Sequence, residues 1–241
     1  MQGVKNVVFV HGAWADGSSW SKLIPILKSK GLNAVAVQNP LSSVADDVAS
    51  TNRLINVQDG PVLLVGHSYG GAVITEAGNN PKVAGLVYVA AFAPEEGETL
   101  GGLAQQYPPS PLFSAVQPIE NGYLMLTRKG VEESFAQDLT QNEKDLIFAT
   151  QAATQSAVLG TPITKAAWHS KPSWFVIASN DRAIAPEQEI ATAKRMGSKT
   201  LTLPSSHLPM LSHPADVAAF ILEAVASLDA NAKAKASAQS A

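Results

Sequence analysis

The run Gly66-His67-Ser68-Tyr69-Gly70-Gly71 places a serine where covalent chemistry is feasible. A hydroxyl is a poor nucleophile near neutral pH. It becomes effective when a base removes its proton and preorganised donors receive the charge that develops on the substrate oxygen. The apolar run Val62-Leu63-Leu64-Val65 precedes the serine and a helical stretch follows it. A serine held on a tight strand-to-helix turn projects its hydroxyl above a sheet, and the flanking glycines let neighbouring backbone pass close by. The helix that begins there aims free N–H groups and a positive dipole end at the same spot.

The base must be one of five histidines, His11, His67, His169, His207 and His213. His207, in Ser205-Ser206-His207-Leu208-Pro209, lies just past the last apolar β-run and is the choice. His213 directly precedes Pro214 and suits the start of the final helix. His11 and His67 read as satisfied structural histidines, and His169 as a surface residue. A carboxylate must fix the imidazole tautomer. Asp181, in Ser179-Asn180-Asp181-Arg182, follows a strand and keeps the chain order Ser, Asp, His. Glu95 and Glu96 are rival acids, and Asp181 could instead form a turn or pair with Arg182. The oxyanion donors are expected to be the backbone N–H of Tyr69 and, from the loop after the first strand, that of Ala13. Trp14 either walls the pocket or packs in the core.

Short β-branched runs alternating with helical stretches predict parallel strands joined by crossovers. Strands are expected at 4–10, 34–37, 62–65, 83–89, 174–178 and 200–203, with helices at about 19–30, 43–57, 69–78, 186–195 and 214–228. Between about Phe92 and Ser170 the rhythm changes to Pro-rich and helical sequence, with one weak β-run at Tyr123–Thr127. The expected organisation is an α/β core at 1–91 and 171–230, a mainly helical cap at 92–170 inserted after the strand that follows the elbow helix, and a disordered tail at 231–241. Cap residues Tyr107, Leu112, Phe113, Phe135 and Phe148 form either an apolar lid or the cap's own small core.

Composition narrows the classes. Charged residues make up 15% and hydrophobic residues 46% of the chain, the opposite of a disordered bias. Net charge is −3 with no basic stripe, which argues against nucleic-acid binding. No apolar run approaches the length of a membrane span. With no cysteine, thiolate metal sites and cysteine nucleophiles are excluded. The N-terminus lacks a secretory signal pattern, so a cytoplasmic protein is expected, or a secreted or periplasmic one whose signal has been removed. Neither metal nor cofactor is called for. A monomer or homodimer acting on a small molecule is expected.

His11-Gly12-Ala13 with Asp16-Gly17-Ser18-Ser19-Trp20, the elbow at 66–71, Asn180-Asp181-Arg182 and Ser206-His207 together resemble the α/β-hydrolase superfamily. They are most similar to its bacterial carboxylesterase-like members, related to plant methylesterases and hydroxynitrile lyases. The resemblance spans residues 4–228 and is least specific in the cap. It implies an α/β-hydrolase fold, a triad of Ser68, Asp181 and His207, an oxyanion hole from Ala13 and Tyr69, and hydrolysis of small to medium carboxylic esters. In the lyases of this branch a lysine follows the histidine and a threonine stands near the oxyanion loop. Here Leu208, Gly12 and Ala13 occupy those places, which favours ester hydrolysis over cyanohydrin cleavage. Perhydrolase activity on the same triad and a ligand-binding role with vestigial chemistry stay open.

Overall fold

In the computed structural model, which describes residues 3–239, the strands are β1 (Asn6–Val10), β2 (Asn33–Ala36), β3 (Val62–Ser68), β4 (Val83–Ala91), β5 (Val116–Pro118), β6 (Tyr123–Leu126), β7 (Thr154–Gln155), β8 (Ser173–Ala178) and β9 (Lys199–Leu203). The helices are α1 (Leu23–Ser29), α2 (Val44–Asn56), α3 (Gly70–Ala77), α4 (Leu100–Ala104), the single turn α5 (Arg128–Gly130), α6 (Gln141–Thr150), α7 (Pro186–Met196), the single turn α8 (Pro209–Ser212) and α9 (Pro214–Gln239). Six strands form one sheet in the order β2-β1-β3-β4-β8-β9, and every pairing in it is parallel. The chain winds outward from β1 to β2 on one side and through β3, β4, β8 and β9 on the other. The order therefore reverses between β1 and β3, and ligands of open parallel sheets bind beyond the strand ends at such a point.

The sequence explains the layering. β1, β3 and β4 are buried almost throughout and consist mostly of Val, Leu and Ala, as strands covered on both faces must be. The edge strands are less buried: β9 alternates Thr200 and Thr202 outward with Leu201 and Leu203 inward, and β2 buries only Ala34 fully. Helix boundaries follow local chemistry. Ser43 caps α2 by accepting from the Asp46 N–H, Pro186 opens α7, and Gly197, at φ +63°, closes it in the left-handed region.

The chain between β4 and β8 differs in part from expectation. It is largely helical, yet it also holds a three-stranded antiparallel sheet, β5-β6-β7, of which only β6 shows in the sequence. The first part of the helix expected at 19–30 is instead a 3-10 turn at Gly17–Trp20, followed by α1. The expected tail is corrected as well: α9 runs on through Gln239, while residues 240 and 241 lie outside the described residues. Its inner half packs Val217, Ile221, Ala224 and Leu228 into the core, and Asp229 accepts a hydrogen bond from the Val4 N–H at 2.7 Å. Beyond this anchor the Ala-, Lys- and Gln-rich sequence consists of strong helix formers, so the helix propagates. Among the described residues, no helix is long and apolar enough to cross a membrane.

Candidate active site

Ser68 ends β3 with φ +54°, a conformation that L-residues adopt at a cost of about 1–2 kcal/mol. The turn is held by its surroundings. The Ser68 carbonyl accepts from the Phe92 N–H at 3.2 Å, and opposite it β4 bulges at Ala90, itself at φ +43°. Gly12, in the loop after β1, passes so close that a Cβ there would lie 2.7 Å from the Ser68 Cβ. Gly71 leaves no room for a Cβ against the Phe92 carbonyl. These contacts press the loops after β1, β3 and β4 together over the switch point.

Ser68, Ala13, Trp14, Tyr69 and His207 line one cavity of about 50 Å³, whose remaining walls include Phe92, Leu100, Leu112, Phe113, Leu159 and Ile184. Asp181 stands behind the histidine. Its Oδ2 is 2.5 Å from His207 Nδ1, and its Oδ1 accepts from the N–H groups of Ala183 (2.6 Å) and Ile184 (3.0 Å). The pair is almost wholly shielded from water. With Nδ1–H donating to the carboxylate, Nε2 carries the free lone pair. Arg182 donates to the Glu133 carbonyl at 2.8 Å, so pairing with Arg182 is not what holds Asp181. Glu95 bonds His169 on the surface, with both carboxyl oxygens 2.8 Å from Nε2.

Two further histidines, His11 and His67, brace the site. His11 Nε2 accepts from the Asn39 N–H at 2.9 Å, so Nδ1 donates to the Gly12 carbonyl, also at 2.9 Å. Burial pushes its pKa down and keeps the ring neutral. His67 Nε2 donates to the His207 carbonyl at 2.8 Å, tying the elbow to the histidine loop. Full burial, then the neighbouring His207, holds its pKa well below the usual range. The expectation that both rings are satisfied holds for His11, whereas Nδ1 of His67 is buried without a partner. The Tyr69 hydroxyl donates to Asp47 Oδ2 at 2.6 Å, and Asp47 Oδ1 accepts from the Leu41 N–H at 2.9 Å. Burial raises the pKa values of both Asp47 and Tyr69. The tyrosine side chain is thereby turned away, leaving its backbone N–H at the start of α3, where helical N–H groups have no intrahelical partner.

Sequence reasoning missed a second layer contributed by the segment between β4 and β8. Trp14, at φ +57°, donates its backbone N–H to Thr154 Oγ1 (3.0 Å) and its indole N–H to the Leu124 carbonyl (3.1 Å). Gln137 donates to the Asn180 carbonyl at 2.7 Å, and Asp138 accepts from the Ser206 N–H at 2.8 Å. The loops bearing Asp181 and His207 are thus each held by neighbouring residues of one segment. Phe135 packs on the His207 ring at 5.2 Å between centroids. Nothing in the sequence separates Gln137 and Asp138 from ordinary surface polar residues.

Comparison with known proteins identifies the family. Residues 7–220 match the alpha/beta hydrolase family. A carbendazim hydrolyzing esterase of a Nocardioides species is 33% identical over 114 residues, which is 41% of this chain and 46% of that protein. A pyrethroid hydrolase of Sphingobium wenxiniae is 26% identical over 91% of this chain and 87% of its own. The crystal structure of a pyrethroid hydrolase from Sphingobium faniae superposes with a TM-score of 0.79 at 20% identity, covering 92% of this chain and 97% of that one. The chain belongs to the alpha/beta hydrolase family.

Proposed function

We propose that this protein is a serine carboxylesterase in which His207, held by Asp181, deprotonates Ser68. The observation that supports this most is a strained, buried serine at the sheet's switch point, sharing one apolar cavity with a histidine whose Nδ1 is fixed by a carboxylate. Ser68 attacks the ester carbonyl, and the oxyanion is received by the backbone N–H groups of Ala13 and Tyr69. Donors of this kind contribute about 3–4 kcal/mol each to the transition state. His207 protonates the leaving alcohol and then activates water to hydrolyse the acyl-enzyme. The chemistry requires neither metal nor cofactor. Two relatives named for hydrolysis, the carbendazim hydrolyzing esterase and the pyrethroid hydrolase, are consistent with this reading. Leu208, buried directly after His207, offers no charge to stabilise cyanide, which disfavours the lyase reaction.

The test is covalent labelling. A fluorophosphonate is expected to add its mass to Ser68 within minutes, located by peptide mass spectrometry, and His207→Ala should suppress the adduct. Protein that stays unmodified would sink the esterase reading and favour a ligand-binding role.

The walls suggest which esters fit. No Asp, Glu, Lys or Arg lines the inner cavity, so neutral esters are favoured. A second groove of about 450 Å³, bordered by Tyr107, Pro108, Pro109 and Gln188, shares Gly101, Phe113 and Ala183 with the inner cavity. Phe113, 43% exposed, stands between them. Replacing Phe113 with Ala should join the two spaces and raise kcat/KM for bulky acyl esters relative to acetate about tenfold or more, as removing several carbons from a pocket wall does. An aryl ester panel reads the ratio directly, and an unaltered ratio would remove Phe113 from the specificity wall.

A further inference from the structure

Glu189, in the first turn of α7, is wholly buried at 0% exposure and is not used by the reaction described above. Its Oε2 accepts from the Ala178 N–H at 3.0 Å, while Oε1 has no donor. Ala178, whose N–H Glu189 holds, also accepts the Asp181 backbone N–H on its carbonyl at 3.1 Å, which sets the Asp181 carboxylate beside that of Glu189. Two ionised carboxylates cannot share such a contact in a dry site, so one of them must hold a proton. Counting donors decides which. Asp181 receives the Ala183 and Ile184 N–H groups and the His207 Nδ1–H, three in all, and Glu189 receives one. The charge therefore belongs on Asp181 and the proton on Glu189.

We infer that Glu189 is a positioning residue whose protonated carboxyl donates to Asp181, extending the serine, histidine and aspartate line by a fourth member; this rests on the esterase reading of Ser68. Burial, with Asp181 adding to it, drives the Glu189 pKa well above the usual range, in agreement with the donor count. The fourth member satisfies Oε1, anchors the Asp181 carboxylate to the end of β8 through Ala178, and keeps a second negative charge away from the imidazole. The other charged or titratable groups around the two loops are His67 on the elbow, Asp138 on the Ser206 N–H, and Arg182, which is turned outward to Glu133.

Glu189→Gln and Glu189→Met separate the possibilities. A glutamine can accept from Ala178 with its oxygen and donate to Asp181 with its nitrogen, so it reproduces a protonated glutamate but not an ionised one. The methionine variant should lose kcat on the order of tenfold or more with little change in KM, since misplacing the base affects chemistry more than binding. Glutamine should recover most of that loss, and the acid limb of its kcat/KM profile should coincide with that of the parent. Infrared spectra at pH 8 should show a protonated-carboxyl band in the parent that both variants lack. The inference is overturned if the acid limb of the glutamine variant falls by about one pH unit or more, the effect of deleting a nearby anion. It is equally overturned if methionine retains kcat or if the infrared band survives. Should the methionine variant not fold, the pH profile and infrared band of the glutamine variant still decide. Full turnover by Ser68→Ala would instead refute the esterase reading, leaving the infrared result on Glu189 intact.

Discussion

Asp181→Asn should reduce kcat toward aryl esters by about four orders of magnitude while leaving the protein folded. The amide oxygen can replace Oδ1 as acceptor for the Ala183 and Ile184 N–H groups, so the loop keeps its anchors. That choice turns the amide N–H₂ toward His207 Nδ1. The ring must then accept at Nδ1 and carry its proton on Nε2, the nitrogen that should take the proton of Ser68. The tautomer is wrong although the geometry is nearly unchanged. Ser68→Ala should cost at least as much, and the double variant little more than Ser68→Ala alone, because the groups act as a unit. Initial rates with p-nitrophenyl esters measure all three. A loss of less than about tenfold in Asp181→Asn would show that the carboxylate does not set the tautomer.

Gly71→Ala should be the most damaging small substitution in the chain. The added methyl would lie far inside van der Waals contact with the Phe92 carbonyl oxygen and 2.8 Å from the Ala91 Cβ. Both neighbours belong to the β4 end, and the Phe92 N–H holds the Ser68 carbonyl, so yielding there moves the elbow. Alanine gains about 1 kcal/mol over glycine inside a helix. Overpacking against backbone costs about 3 kcal/mol or more, which outweighs it. The melting temperature should fall by roughly 4–8 °C, with activity dropping further than the folded fraction explains. An unchanged melting temperature would mean that α3 and β4 are not in close contact at this point.

What was legible in the sequence was whatever rests on local pattern. Alternating apolar runs and helical stretches gave the order of the core elements, because strands buried on both faces consist of little except aliphatic residues. The elbow showed because close backbone approach leaves glycine as its mark. Asp181 and His207 followed from their places after strands. The three-residue β5 and two-residue β7 were not legible, since they are too short to show a period and β5 contains Pro118. The helical course of 231–239 is not legible locally, because a run of small and polar residues shows no apolar period and the helix is carried there by the anchored turns before it. No sequence feature singles out Glu189, and only the packing of α7 on β8 reveals that it is buried. His67 read as satisfied because a sequence cannot show that one ring nitrogen has no partner.

The bonds that Trp14 makes limit how this protein can be recombined. Its backbone and indole N–H groups end on Thr154 and Leu124, and the Leu41 carbonyl accepts from the Gln155 N–H at 2.9 Å. The segment between β4 and β8 therefore helps to shape the loop that should receive the oxyanion, as well as forming the substrate wall. A chimera that grafts this segment from a relative must bring a hydroxyl at the place of Thr154 and a carbonyl at that of Leu124. Without them the graft can supply a new pocket and still leave the acceptor of negative charge misaligned. Selectivity and turnover are inherited together in this architecture, and exchanging one module disturbs both.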